Sequence, residues 1–105
     1  MVTVKAIMNT SMEDILAFKC CSLPNQNLEI HVINASEKAV VVNNWFYLKN
    51  DRETLKVENL YPPHPVTVHP NDISAFYCNM DENTWERYKT LVMIDTEGKE
   101  YSTSI

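Results

Sequence analysis

Gly98 is the only glycine in this chain. Loops that close tightly around a phosphate need several residues without a Cβ, because the backbone itself must approach the ligand. A dinucleotide-binding fingerprint, a phosphate-binding P-loop and a G-x-S-x-G nucleophile elbow are therefore excluded. Turns must come from another residue, and asparagine supplies them with eleven copies. Asn enters the left-handed region more readily than most residues that carry a Cβ, and its side chain can bond nearby backbone. Asn and Asp cluster at Asn25 to Asn27, at Asn34 with Ser36, at Asn50-Asp51, at Asn71-Asp72 and at Asp81 to Asn83. Short runs rich in Val, Ile, Tyr and Phe lie between them. That punctuation predicts an all-β sandwich or barrel.

The runs alternate. Leu28, Ile30 and Val32 share one face, with Glu29 and His31 on the other. Leu55 and Val57, Val66 and Val68, and Tyr101, Thr103 and Ile105 alternate with polar neighbours in the same way. Period two with one apolar side predicts strands with one buried face. Val2–Met8 reads as an extra strand, Ser11–Asp14 as a turn and Ile15–Ser22 as a strand or a short helix. "DTEGK" (Asp95–Lys99) reads as a short hairpin with Gly98 at positive φ. In Ala39–Asn50 both faces are apolar: Val40, Val42, Phe46 and Leu48 on one side, Val41, Trp45 and Tyr47 on the other. Such a strand is either covered on both sides or carries an exposed aromatic patch, and a bulge near Asn43-Asn44 would re-phase it. Residues 81–88 read as a helical turn or two, capped by Asp81 or Asn83, with Glu86 in a near capping-box position. The count is seven or eight strands.

A length of 105 residues predicts one domain, 1–105, large enough for its own core. Hydrophobic residues at 45% and charged residues at 22% argue against disorder. A net charge of −5 with no basic stripe argues against nucleic acid and anionic membrane as partners. No run reaches the length of a transmembrane helix, and Lys5 with the polar stretch 9–14 interrupts any secretory signal. The three cysteines are an odd number, and Cys20 and Cys21 are adjacent. That is a poor disulfide framework, which predicts a reducing, cytoplasmic compartment. Asn9-Thr10-Ser11 and Asn34-Ala35-Ser36 match the glycosylation pattern but mean little without a secretory route.

The strand ending in "NAS", the Trp-bearing "NNWFYL", the "PPHPVTVHPND" stretch and the helical corner before "YKTLVMID" together resemble an immunoglobulin-like domain from about Ile15 to Ile105. The resemblance implies a sandwich with Trp45 on the third core strand and Tyr88 opening the sixth as a corner tyrosine. The inter-sheet cysteine pair of the antibody type is missing. Ile30 or Val32 and Thr90 or Val92 stand roughly in its place. The fold alone is implied, because such sandwiches host many unrelated functions.

Four of the five prolines, two of the three histidines and Cys78 fall within Leu60–Cys78. Proline cannot donate to a ladder, so Pro62, Pro63, Pro65 and Pro70 belong at edges and bends. The stretch reads as a stiff crossover between sheets ending in a turn at Pro70-Asn71-Asp72; its functional counterpart is a recognition strip around Tyr61. Neither C-x-x-C nor H-x-x-x-H spacing occurs, so no metal and no cofactor is expected. The acidic Asp81, Glu82 and Glu86 lack the ligand series of a calcium loop. Trp45, Tyr47, Val41, Tyr61 and Trp85 are the interface candidates, since Tyr and Trp are enriched at binding hot spots. The competing reading puts Trp45 and Tyr88 in the core, with Trp85 covering the end of the sandwich. The expected function is a non-catalytic protein-binding or structural module whose partner is another protein or a second copy. The alternative is a small ligand- or metal-binding domain, or a minor enzyme, using Cys78 with His64 and His69.

Overall fold

A computed structural model describes residues 1–8 and 27–105. The readings made for Asn9, Ser11–Asp14, Ile15–Ser22, Cys20, Cys21 and Asn25 lie outside the described residues. The chain forms β1 (Val2–Met8), β2 (Leu28–Asn34), β3 (Val40–Lys49), β4 (Thr54–Val57), β5 (Leu60–Tyr61), β6 (Val66–Val68), β7 (Asp72–Cys78), α1 (Glu82–Glu86), β8 (Thr90–Asp95) and β9 (Glu100–Ser104). The strands make two antiparallel sheets. One has the order β1-β2-β7-β5; the other has the order β4-β3-β8-β9, with β6 also pairing β3. The fold is all-β and sandwich-like.

Period-two burial builds the core between the sheets. Leu28, Ile30, Val32, Phe76 and Cys78 come from the first sheet, and Val42, Phe46, Leu48, Val68, Leu91 and Met93 from the second, all at 0% exposure in one cluster. On β8 the inward residues are Leu91 and Met93, while Thr90 and Val92 face outward. Thr90 and Val92, which the resemblance set in place of a core cysteine, thus do not point into the core cluster. Ile105 lies beyond β9 and is exposed, although alternation extended the strand to it. α1 is one turn, and Asp81 is its cap: its carboxylate accepts from Thr84 N–H at 2.9 Å.

The bulge in β3 is present but does not exchange its faces. Val42 pairs with Asp95 and Phe46 with Met93, so four steps on β3 oppose two on β8. Two extra residues leave the parity intact, and Val42, Phe46 and Leu48 stay on the buried side. The Asn43 amide closes the gap by donating to the carbonyls of Ile94 and Asp95 at 3.1 Å each.

The Pro-rich stretch is a crossover. β5 belongs to one sheet and β6 to the other, and both lie at sheet margins. The Tyr61–Pro62 peptide is cis. His69 to Asp72 form a turn closed by Asp72 N–H on His69 C=O at 3.2 Å, with Pro70 second and Asn71 third at φ 63°. Proline followed by a residue at positive φ is the type II arrangement. At the other hairpin Gly98 adopts φ 88°.

Asn34 joins these pieces. It is fully buried at the end of β2. Its amide donates to Lys38 C=O at 2.8 Å and to Val68 C=O, on β6 in the other sheet, at 2.9 Å. Its side-chain oxygen accepts from Ser36 N–H at 2.9 Å and from the Ser36 hydroxyl at 2.6 Å. Its backbone carbonyl accepts from Asn71 N–H at 2.7 Å. An amide so committed is closed to glycosylation in the folded chain. Asn34→Ala removes the partner of the buried Val68 C=O and of the partly buried Lys38 and Ser36 groups at once and costs on the order of 2–3 kcal/mol. For a domain of this size that lowers the thermal midpoint by roughly 10–20 °C. Calorimetry checks the shift, and Ser36→Ala should show a clearly smaller one.

Candidate binding face

β3 presents its second face to the outside of its sheet. Val41, Trp45 and Tyr47 are half-buried there and stand outside the core cluster. The residue β3 sends into the core beside them is Phe46, which corrects the reading of Trp45 as a core residue. The Trp45 and Tyr47 rings meet edge to face, with centroids 5.5 Å apart and planes at 71°. This is a favourable aromatic geometry. Tyr47 lies opposite Lys56 on β4 and Val92 on β8. Val92, at 3% exposure, is covered although it faces outward. The Lys56 ammonium sits 4.5 Å from the Trp45 ring centroid and 3.2 Å from the Glu58 carboxylate.

The remaining candidates lie elsewhere. Trp85, in α1, packs partly against the core, and Tyr88 is buried just before β8. Tyr61 is 49% exposed on β5, at the margin of the other sheet. Ile73, missed by the sequence reading, is 57% exposed on β7. Alternation with Phe76 and Cys78 would have marked it as outward. Lys56 was missed as well; the sequence signal was its place on the polar side of the Leu55–Val57 alternation, opposite the aromatic phase of β3.

Cys78, His64 and His69 do not form a site. Cys78 is buried at the end of β7, its thiol 3.6 Å from the Asn59 side-chain oxygen. Burial pushes the thiol up to about 11, and the Asn59 bond only partly opposes this. His69 precedes the far end of the seven-residue strand β7, about 20 Å away along extended backbone. His64 is exposed, its Nδ1 2.9 Å from Pro65 C=O. Among the described residues no group of three or more His, Cys, Asp or Glu side chains could hold a metal.

At one end of the molecule an open hollow of about 360 Å³ lies between Met1, Lys38, Ala39, Glu97 and Lys99 and reaches Tyr101 and Asp95. Asp95, at 4% exposure, organises the β8–β9 hairpin. One carboxylate oxygen accepts from Glu97 and Lys99 N–H at 2.9 Å each, and the other from the Tyr101 hydroxyl at 2.8 Å. Burial pushes its pKa up, but the bonds from Lys99, Tyr101 and Glu97, with the Lys99 charge, outweigh it and hold the carboxyl below its usual value. Tyr101 is pushed up to about 12, by burial first and then by Asp95. Both carboxylate oxygens are already engaged, so this acid is structural.

No protein-family model matches the chain, and no curated protein matches it. The X-ray structure of Northeast Structural Genomics Consortium target SoR45 is similar at 15% identity and a TM-score of 0.45, over 100% of this chain and 80% of its own. A likeness at that level carries no argument about function. Among the described residues no helix is long and apolar enough to cross a membrane.

Two outcomes follow. Cys78 should resist iodoacetamide in the folded chain and label in urea, as mass mapping of its peptide will show. A pKa near 11 leaves roughly one thiol in ten thousand ionised at pH 7. Asp95 stabilises the fold above the ordinary carboxylate pKa of about 4, and that stability is lost as pH falls through its lower folded value. Asp95→Asn should therefore be less stable than wild type at pH 7 and lose less stability between pH 5 and 2, measured by urea unfolding.

Proposed function

We propose that this chain is a non-catalytic protein-binding module, one immunoglobulin-like domain over 1–105, that engages a protein partner or a second copy through the outer face of β3. The observation that carries the reading is the ordered Trp45–Tyr47 pair held outside the core. Aromatic side chains that keep a fixed geometry lose little rotamer freedom on binding, which is why they anchor interfaces. Strand orders β1-β2-β7-β5 and β4-β3-β8-β9 support the immunoglobulin-like description. The buried, alkaline-shifted thiol of Cys78 weighs against catalysis through it. An odd cysteine count with Cys78 a free thiol supports a reducing, cytoplasmic setting, and the charge of −5 weighs against nucleic acid and membrane.

Light scattering over a concentration series tests the self-association form. Wild type should rise above the monomer mass, and a Trp45→Ser/Tyr47→Ser double variant should stay monomeric with a thermal midpoint within a few degrees of wild type. A wild-type chain that is monomeric throughout removes the second copy as the partner. A double variant that unfolds assigns the pair to stability.

A further inference from the structure

The outer face of β3 already holds a cation, and the cation is the chain's own. Lys56 reaches across from β4, and its ammonium rests 4.5 Å from the Trp45 ring centroid while its other contact is Glu58 at 3.2 Å. The Tyr47 ring meets Trp45 edge to face, which fixes the indole's orientation. Neither ionic partner is locked in place: the Lys56 and Glu58 side chains are 44% and 68% exposed. An exposed ion pair of this kind contributes little to stability. An aromatic face with a carboxylate beside it is the combination that receives an ammonium or guanidinium group. A guanidinium suits it better than an ammonium, because it stacks flat on a ring and forks onto a carboxylate. The whole chain carries −5, which steers a basic segment toward it.

We propose that Trp45 and Glu58 receive a cationic side chain, arginine for preference, from a basic segment of a partner protein, and that Lys56 occupies this position in the free chain. The exchange conserves the interactions: the incoming cation takes the ring and the carboxylate, and the Lys56 ammonium passes to water. Lys56 thus sets a threshold that only a better cation crosses. The inference rests on the protein-binding reading above and names the chemistry of the partner.

Fluorescence anisotropy with a labelled octa-arginine peptide, at fixed ionic strength, tests it. Lys56→Met and Lys5→Met change the net charge equally, but Lys5 lies on β1 in the other sheet. The expected result is that Lys56→Met binds the peptide about two- to fivefold more tightly than Lys5→Met, the size of one exposed cation–π contact. Trp45→Ala and Glu58→Gln should each weaken binding relative to wild type. In a Trp85→Phe background, where Trp45 is the remaining tryptophan, the peptide should shift the indole emission. Equal affinities for Lys56→Met and Lys5→Met would overturn the proposal, as bulk charge would then account for all binding. That comparison decides the matter even where Trp45→Ala fails to fold. Loss of the proposal in this way leaves the broader reading standing if the Trp45→Ser/Tyr47→Ser variant still abolishes self-association.

Discussion

Asn34 is the constraint on which the two-sheet arrangement depends. The described chain passes between the sheets five times, and every passage takes backbone groups off a ladder. At the end of β2 three segments converge: the loop to β3, the end of β6 and the turn into β7. Buried carbonyls there need donors and buried N–H groups need acceptors. A carboxamide offers two donors and an acceptor on one short stem. Aspartate has no donor, serine is too short to reach across, and glutamine is a methylene longer. All of the side-chain capacity is used, on Lys38, Val68 and Ser36.

The same chemistry recurs at other breaks in the ladders. Asn27 exchanges a pair of 2.7 Å bonds with the backbone of Met80, extending the β2–β7 ladder with a side chain. Asn43 fills the bulge in β3, and Asn50 accepts from Arg52 and Glu53 N–H while donating to Arg87 C=O. A chain poor in glycine thus uses asparagine in two ways. It supplies the positive φ at Asn71, and elsewhere it substitutes for missing backbone partners.

The part of this legible in the sequence is the part set by local period. Alternation placed the inward residues of β2, β4 and β6, because each has one dry and one wetter face. It could not reveal β5, which is two residues long and bordered by prolines. Nor could it show which asparagines clamp, since Val68 is 34 residues from Asn34 and Met80 is 53 from Asn27. The length of the bulge was equally hidden. One inserted residue would have sent Trp45 inward; two left it outside. The choice between core and surface for Trp45 was therefore made by the β8 register, which local pattern does not report.

Phase also explains why this aromatic pair differs from the other apolar groups at the surface. Ile73 and Tyr61 are more exposed than either ring, yet single exposed apolar residues are ordinary in soluble proteins. Trp45 and Tyr47 are held by each other, by Val92 opposite Tyr47 on β8, and by the Lys56 ammonium over the Trp45 ring. The pairings of Tyr47 with Lys56 and Val92 are cross-strand pairs, which stabilise a sheet by about 0.2–1 kcal/mol each, so part of their role is structural. On the binding reading proposed above, a ring oriented by its neighbours and faced by the Lys56 ammonium presents a defined electrostatic surface, and recognition draws on that order more than on exposed area.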